Sequence, residues 1–256
     1  MHNFLRIPAV LVFAFGLTHC GVGSSEKPTE TARTGPVVSP DEANGATVSG
    51  KIAYSGTPRA GKLIDMSANP QCEHTHKGHP LTADDIVINS NGTLRNVFVW
   101  VKTGVPAQNW AVPATPVAID QQSCMYHPHV VGAMVGQKIR ISNDDPVNHN
   151  IHPIPMANEE WNETQSAGES PKLRSFSRQE VMVPVKCNVH PWMRAYIGVV
   201  AHPFYAVTGD DGSFTIKGLP PGTYTIQTWH EKFGTQEMQV TVGAKESKAV
   251  DFSYKG

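Results

Sequence analysis

Gln137-Lys-Ile-Arg-Ile-Ser-Asn-Asp-Asp-Pro-Val-Asn-His-Asn-Ile151 runs from an alternating strand through a polar turn to a histidine. Isoleucines alternate with Lys138, Arg140 and Ser142, the period of a strand with one buried face. The same period, rich in β-branched and aromatic residues, recurs at 47–54, 95–102, 223–229 and 238–242. Turn signals at Asn91-Gly92, Val135-Gly136, Asp211-Gly212 and Pro220-Pro221-Gly222 fall between these runs. Helix is expected only over a short segment, 158–165. The chain therefore reads as all-β, with sheets packed face to face as sandwiches.

Composition bounds the function. Of 256 residues, Lys and Arg number 21 and Asp and Glu 22, a net charge of −1, which excludes nucleic acid as the main partner. With 22 Gly, 20 Pro and 17% charged residues, the chain suits short strands joined by many turns. At the N-terminus, Arg6 precedes an apolar run from Ile7 to Leu17, too short to span a bilayer and laid out as a signal peptide over 1–20. Leu17-Thr18-His19-Cys20 resembles a bacterial lipobox, which implies acylation of Cys20 and a membrane contact made through lipid. Residues 21–45, poor in large apolar side chains, read as a disordered linker. The expected location is the periplasm or cell envelope.

Chemistry concentrates in Val185-Lys-Cys187-Asn-Val-His190-Pro-Trp-Met193, where a thiol, an imidazole and a thioether recur at every third residue. Soft sulfur with imidazole selects copper over hard cations, and a trigonal His₂Cys set with a weak axial Met suits single-electron transfer. The further histidine it needs stands at His149. Together, Asn143, Asp145, His149, Asn150 and Ile151 followed by the Cys-x-x-His-Pro-x-Met loop resemble the cupredoxins, most closely those with a short amicyanin-type loop. The resemblance covers 117–202. It implies a Greek-key β-sandwich, one type 1 copper held by His149, Cys187, His190 and Met193, and Asn150 tying the two ligand loops together. It further implies an electron carrier rather than an enzyme, with a protein redox partner. Pro191 and Trp192 would form a docking patch beside His190, or Trp192 packs behind the site. His152, three residues beyond His149, would face away from it in an extended segment.

With Cys20 and Cys187 assigned, Cys72 and Cys124 are expected to form a disulfide in an oxidising compartment. The competing reading is a second metal site, since Cys72 is followed by His74, His76 and His79, and Cys124 by His127 and His129. The paired carboxylates, such as Asp84-Asp85 and Asp210-Asp211, read as solvated turn residues. Val207–Trp229 resembles the carboxypeptidase-regulatory-like, transthyretin-like modules, and 203–256 is assigned to such a sandwich. Ala46-Thr-Val-Ser-Gly-Lys-Ile52 loosely fits the first strand of that module, so strands within 46–116 are expected to belong to it, with the copper domain inserted between. Two other functions compete: a surface module binding carbohydrate or an envelope protein, with a structural metal and an aromatic platform among Tyr205, Tyr224, Trp229 and Phe233, and periplasmic copper buffering.

Overall fold

The computed structural model describes Met1, residues 35–57 and residues 61–256. The signal segment expected over 1–20, Cys20 and the part of the expected linker up to residue 34 lie outside the described residues, apart from Met1. Ile139 and Ile141 are buried while Lys138 and Arg140 stay in water, as a strand with one wet face requires. Their strand, Ile139–Asn143, lies in a four-stranded sheet ordered Lys172–Arg174, Ile139–Asn143, Val117–Gln122, Met125–His127. Against it packs a five-stranded sheet ordered Glu163–Gln165, His149–Pro153, Glu180–Lys186, Arg194–Val200, Val130–Met134. Ile119, Ile139 and Ile141 from the first sheet meet Ile151, Val183, Val185, Ile197 and Val199 from the second in one core.

A second sandwich is assembled from distant parts of the chain. Ala46–Ser55 pairs antiparallel with Ser213–Leu219 and parallel with Ser247–Ala249 and Phe252–Lys255. Phe98–Thr103 lies between Tyr205–Val207 and Gly222–His230, with Gly234–Val242 at the sheet edge. Val48, Ile52, Val99, Val101, Phe214, Ile226 and Tyr254 share its core. The first sandwich is thus inserted into the second.

The two sandwiches meet where two glycines pair across neighbouring strands. Gly132 stands opposite Gly198, and the rings of Phe98 and Tyr205 lie in the space their missing side chains leave. A Cβ on Gly198 would come within 2.5 Å of the Phe98 ring, and one on Gly132 within 2.4 Å of Tyr205. Phe98 is fully buried, packed with Trp100, Val130 and Val200.

Between the early strands, residues 61–85 form an arm that carries the α-helix Pro70–Thr75. The arm closes on itself through a bridge between Leu63 and Thr82, and the Cys72–Cys124 disulfide fixes it to the first sandwich. A second tie is ionic. The buried His129 imidazole contacts Asp84 of the arm through Nδ1 at 3.0 Å and Glu231 of the second sandwich through Nε2. Tyr196 donates its hydroxyl to Glu231, and Lys232 pairs with Asp85 at 3.0 Å.

Two expectations are corrected. Residues 158–165 are not helical: Glu163–Gln165 is a strand paired with His149–Ile151, and the N–H groups of Met156, Ala157 and Asn158 donate to the Glu180 carboxylate. The backbone of 163–165 is thus taken up by a ladder with an earlier strand, while Glu180 fixes the turn just before it. The boundary expected at residue 45 is also not kept, because among the described residues strand structure begins at Val37. Val37–Val38 pairs parallel with Asn109–Trp110, and Asp41 Oδ1 accepts the N–H groups of Ala43 and Asn44, an Asx turn that leads the chain into the first long strand.

Two tests follow from these ties. Gly198→Ala forces the added methyl against Phe98 and is expected to cost about 1–3 kcal/mol, read as a lower urea midpoint without loss of the first sandwich's core. Burial acts to lower the His129 pKa, but Asp84 and Glu231 outweigh it and raise it to about 9. The folded state therefore binds more protons than the unfolded one across the window from about 6.5 to about 9. Its stabilisation is complete below that window and is lost as pH rises through it. Unfolding free energy measured from pH 6 to 10 should fall on the order of 3 kcal/mol from this group, and His129→Gln should flatten the fall.

Candidate metal centre

His149 opens the strand His149–Pro153 directly after the turn that follows Ile139–Asn143. Asn143 holds that turn, donating through Nδ2 to Val147 O and Gln165 O and accepting the Asp145 N–H. Asp145 is thereby aimed inward. Its Oδ2 meets His149 Nε2 at 2.8 Å and accepts the Cys124 N–H at 2.7 Å, while Oδ1 accepts the Ser123 N–H at 2.6 Å. An ionised carboxylate fixes the proton of His149 on Nε2 and leaves Nδ1 as the free donor atom. Burial acts to raise the Asp145 pKa, but its bonds to His149, Cys124 and Ser123 outweigh it and hold the carboxyl below its ordinary range.

The other donors come from one tight loop after Glu180–Lys186. Met193 donates its N–H to His190 O at 3.0 Å, and Cys187 donates its N–H to Met193 O at 3.3 Å, so the loop folds back on itself. His190 Nδ1 lies 2.8 Å from His149 Nδ1 and 3.7 Å from Cys187 Sγ. Ligand atoms of His149, Cys187 and His190 all lie within 4.8 Å of one another. All three residues are buried, and Met193 is fully buried in the core that includes Cys187. Burial acts to raise the Cys187 pKa, yet the neighbouring His149 and His190 side chains and the Asn150 and His190 backbone outweigh it and bring it down to about 5. The group is a thiolate at neutral pH, the form in which sulfur binds metal. Two imidazole nitrogens and one thiolate, desolvated and converging, fit a soft or borderline cation and do not fit magnesium or calcium.

Asn150 joins the two ligand segments: Oδ1 accepts the Asn188 N–H at 2.7 Å, and Nδ2 donates to Asn162. Tyr126, which sequence reasoning missed, does the same from the opposite sheet by donating to Asn150 O and Lys186 O. Burial and the nearby Cys187 push the Tyr126 pKa up, so it stays a neutral donor. No local pattern marks it, because its partners lie 24 and 60 residues away.

The structure places the remaining sequence-predicted residues as follows. Cys72 and Cys124 form a disulfide. Cys72 Sγ lies 3.5 Å from His190 Nε2. The second metal reading is corrected: its sulfurs are bonded to each other, His74 and His79 are exposed, His76 contacts Ser123 O, and His129 is taken up by Asp84 and Glu231. His152 lies outside the cluster, against Glu160 and Asn188. Pro191 is exposed, whereas Trp192 is half-buried and donates Nε1–H to Cys124 O at 3.0 Å. The four aromatic residues considered as a surface platform are packed: Tyr224 is in the core, Tyr205 stacks on Phe98, Trp229 lies against Tyr196 and Phe233 against His230. Among the described residues, no helix is long and apolar enough to cross a membrane.

Residues 193–255 match the family model of the carboxypeptidase regulatory-like domain. No curated protein matches the chain. Among solved structures, it is similar to a Cu-containing nitrite reductase from Thermus scotoductus SA-01, at 21% identity and a TM-score of 0.31, over 38% of this chain and 24% of that one. The chain thus spans about a quarter of that reductase. It is also similar to a purple cupredoxin from Nitrosopumilus maritimus, at 22% identity and a TM-score of 0.28, over 32% of this chain and 98% of that one. A mutant amicyanin in its Cu(I) form matches at 18% identity and a TM-score of 0.30, over 40% of this chain and 97% of that one.

Asp145→Ala would strip His149 Nε2 and two backbone N–H groups of their acceptor. A loss of about 2–4 kcal/mol is expected from chemical denaturation of the metal-free chain. Asp145→Asn, which keeps an acceptor oxygen, should lose less.

Proposed function

We propose that this chain is an exported mononuclear type 1 copper protein of the cupredoxin kind, transferring single electrons in the periplasm or cell envelope. The observation that carries the reading is the buried convergence of His149 Nδ1, His190 Nδ1 and the acidified Cys187 sulfur. His149, Cys187 and His190 would hold the ion, with Met193 as the weak axial ligand. Copper held there supplies one-electron cycling between Cu(I) and Cu(II).

The chain's own contribution is to fix donors and exclude water. Strands and the short loop hold each donor from two sides, through Asp145, Asn150, Tyr126 and the Met193 backbone. A site supported in this way changes little when its charge changes. His149 is 0%, Cys187 2% and His190 3% exposed, so a substrate has no direct approach to the donors, which favours an electron carrier over an enzyme. The implied partner is a redox protein. Lipid attachment through Cys20 would keep the carrier at the membrane surface.

The test is the absorption spectrum of residues 21–256 titrated with Cu(II). An intense visible band near ~600 nm is expected, as a His₂Cys thiolate–copper site gives, and Cys187→Ser should abolish it. A colourless complex that binds zinc equally well would instead support a structural metal. Binding of Cu(I) with no stable Cu(II) form would support buffering.

A further inference from the structure

An imidazole held to a metal through Nδ1 has one outward edge, at Nε2. In His190, Nδ1 faces His149 and Cys187, and Nε2 meets Cys72 Sγ at 3.5 Å. That sulfur belongs to the helix Pro70–Thr75 of the arm, held in place by its bond to Cys124. Met66, Cys72, Cys124 and Val147 form a small apolar core there, with Ile64, Leu81 and Trp192 packed against it. The ligand's outer edge is therefore roofed by apolar and sulfur atoms.

Trp192 offers a different way out. Its ring centroid lies 5.2 Å from that of His190. Its Nε1–H is bonded to Cys124 O, so the cysteine that anchors the arm also fixes the indole. Half-buried, Trp192 lines a cleft of about 440 Å³ together with Lys62, Asp84, Asp85, Arg194 and Lys232.

We propose that the disulfide-tethered arm shields the outer edge of His190, and that Trp192 is the outlet through which the centre exchanges electrons, into the cleft between the arm and the two sandwiches. The inference rests on the copper reading above. One electron leaves the centre and reduces a one-electron acceptor, and in the reverse direction a one-electron donor is oxidised; no bond breaks and no proton moves. Removing the indole lengthens the gap between His190 and the cleft, whereas a phenyl ring in its place keeps most of the contact.

The shield is tested on the metal-free full chain by diethylpyrocarbonate labelling, with each histidine followed by mass spectrometry. His190 should react at least about tenfold more slowly than exposed His74 and His79 of the same molecules, and Cys72→Ser/Cys124→Ser should remove that protection. The outlet is tested on the copper-loaded chain by stopped-flow reduction with hexaammineruthenium(II). Trp192→Leu should slow reduction by about tenfold with its visible band kept, and Trp192→Phe should stay near the native rate. In the disulfide-free chain, Trp192→Leu should recover speed, because the His190 edge is then open. Labelling of native His190 as fast as His74 overturns the shield. An unchanged rate in Trp192→Leu with an intact band overturns the outlet. Absence of the band from the native protein ends the copper reading and the outlet with it, while the labelling result still decides the shield.

Discussion

The carboxylate of Asp145 accepts from three groups that the chain brings from two places: the imidazole of His149 and the backbone N–H groups of Ser123 and Cys124. A buried carboxylate is costly unless its oxygens are satisfied, and charge-assisted bonds of this kind are the strong ones. Their effect spreads outward. One bond sets the tautomer of His149 and so decides which nitrogen faces the centre. The bond to Cys124 positions the disulfide, the disulfide positions Cys72, and Cys72 covers the edge of His190. A single group thus governs the outer side of both histidines.

The inner side is governed by the sheets. His149 and Cys187 sit at the ends of strands that are neighbours in one sheet, His149–Pro153 and Glu180–Lys186, and Tyr126 from the facing sheet binds carbonyls of both segments. Donor positions inherited from paired backbones vary less than positions on free loops. The short loop contributes two donors at once because its own hydrogen bonds, Met193 N–H to His190 O and Cys187 N–H to Met193 O, close it, and Asn150 and Cys124 O hold it from outside.

Local pattern made part of this legible in the sequence. Alternation over 138–142 marks a strand because its isoleucines must be dry and its charges wet, and the interval from that strand to His149 is short enough for the turn to be read as well. The Cys187–Met193 spacing likewise carries its chemistry within seven residues. What stayed hidden depends on partners remote in the chain. Cys72 and His190 are 118 residues apart, and His129 and Glu231 are 102 apart, so no window contains both members of either pair. The helix expected over 158–165 failed for the same reason, since its last residues pair with His149–Ile151, a strand outside that segment. The helix that does form among the described residues, Pro70–Thr75, has six residues, too few to show a helical period.

The second sandwich is more than an appendage to the first. Its Phe98 and Tyr205 rings fill the space at Gly132 and Gly198, on strands whose neighbours lead into the ligand loop, and its Glu231 holds His129 beside the cleft. Asp84 reaches the same imidazole from the arm, while Trp192 enters the cleft from the ligand loop. Three parts of the chain therefore build one wall next to the centre. Much of the charge on that wall is already matched internally, Lys232 with Asp85 and His129 with Asp84 and Glu231, so these groups act first to hold the arm down. Interrupting one sandwich with another is what makes this possible: the arm leaves the second sandwich, crosses the face of the first and returns, and its closure over His190 is secured by a covalent tie at Cys72 and ionic ties at Asp84 and Asp85.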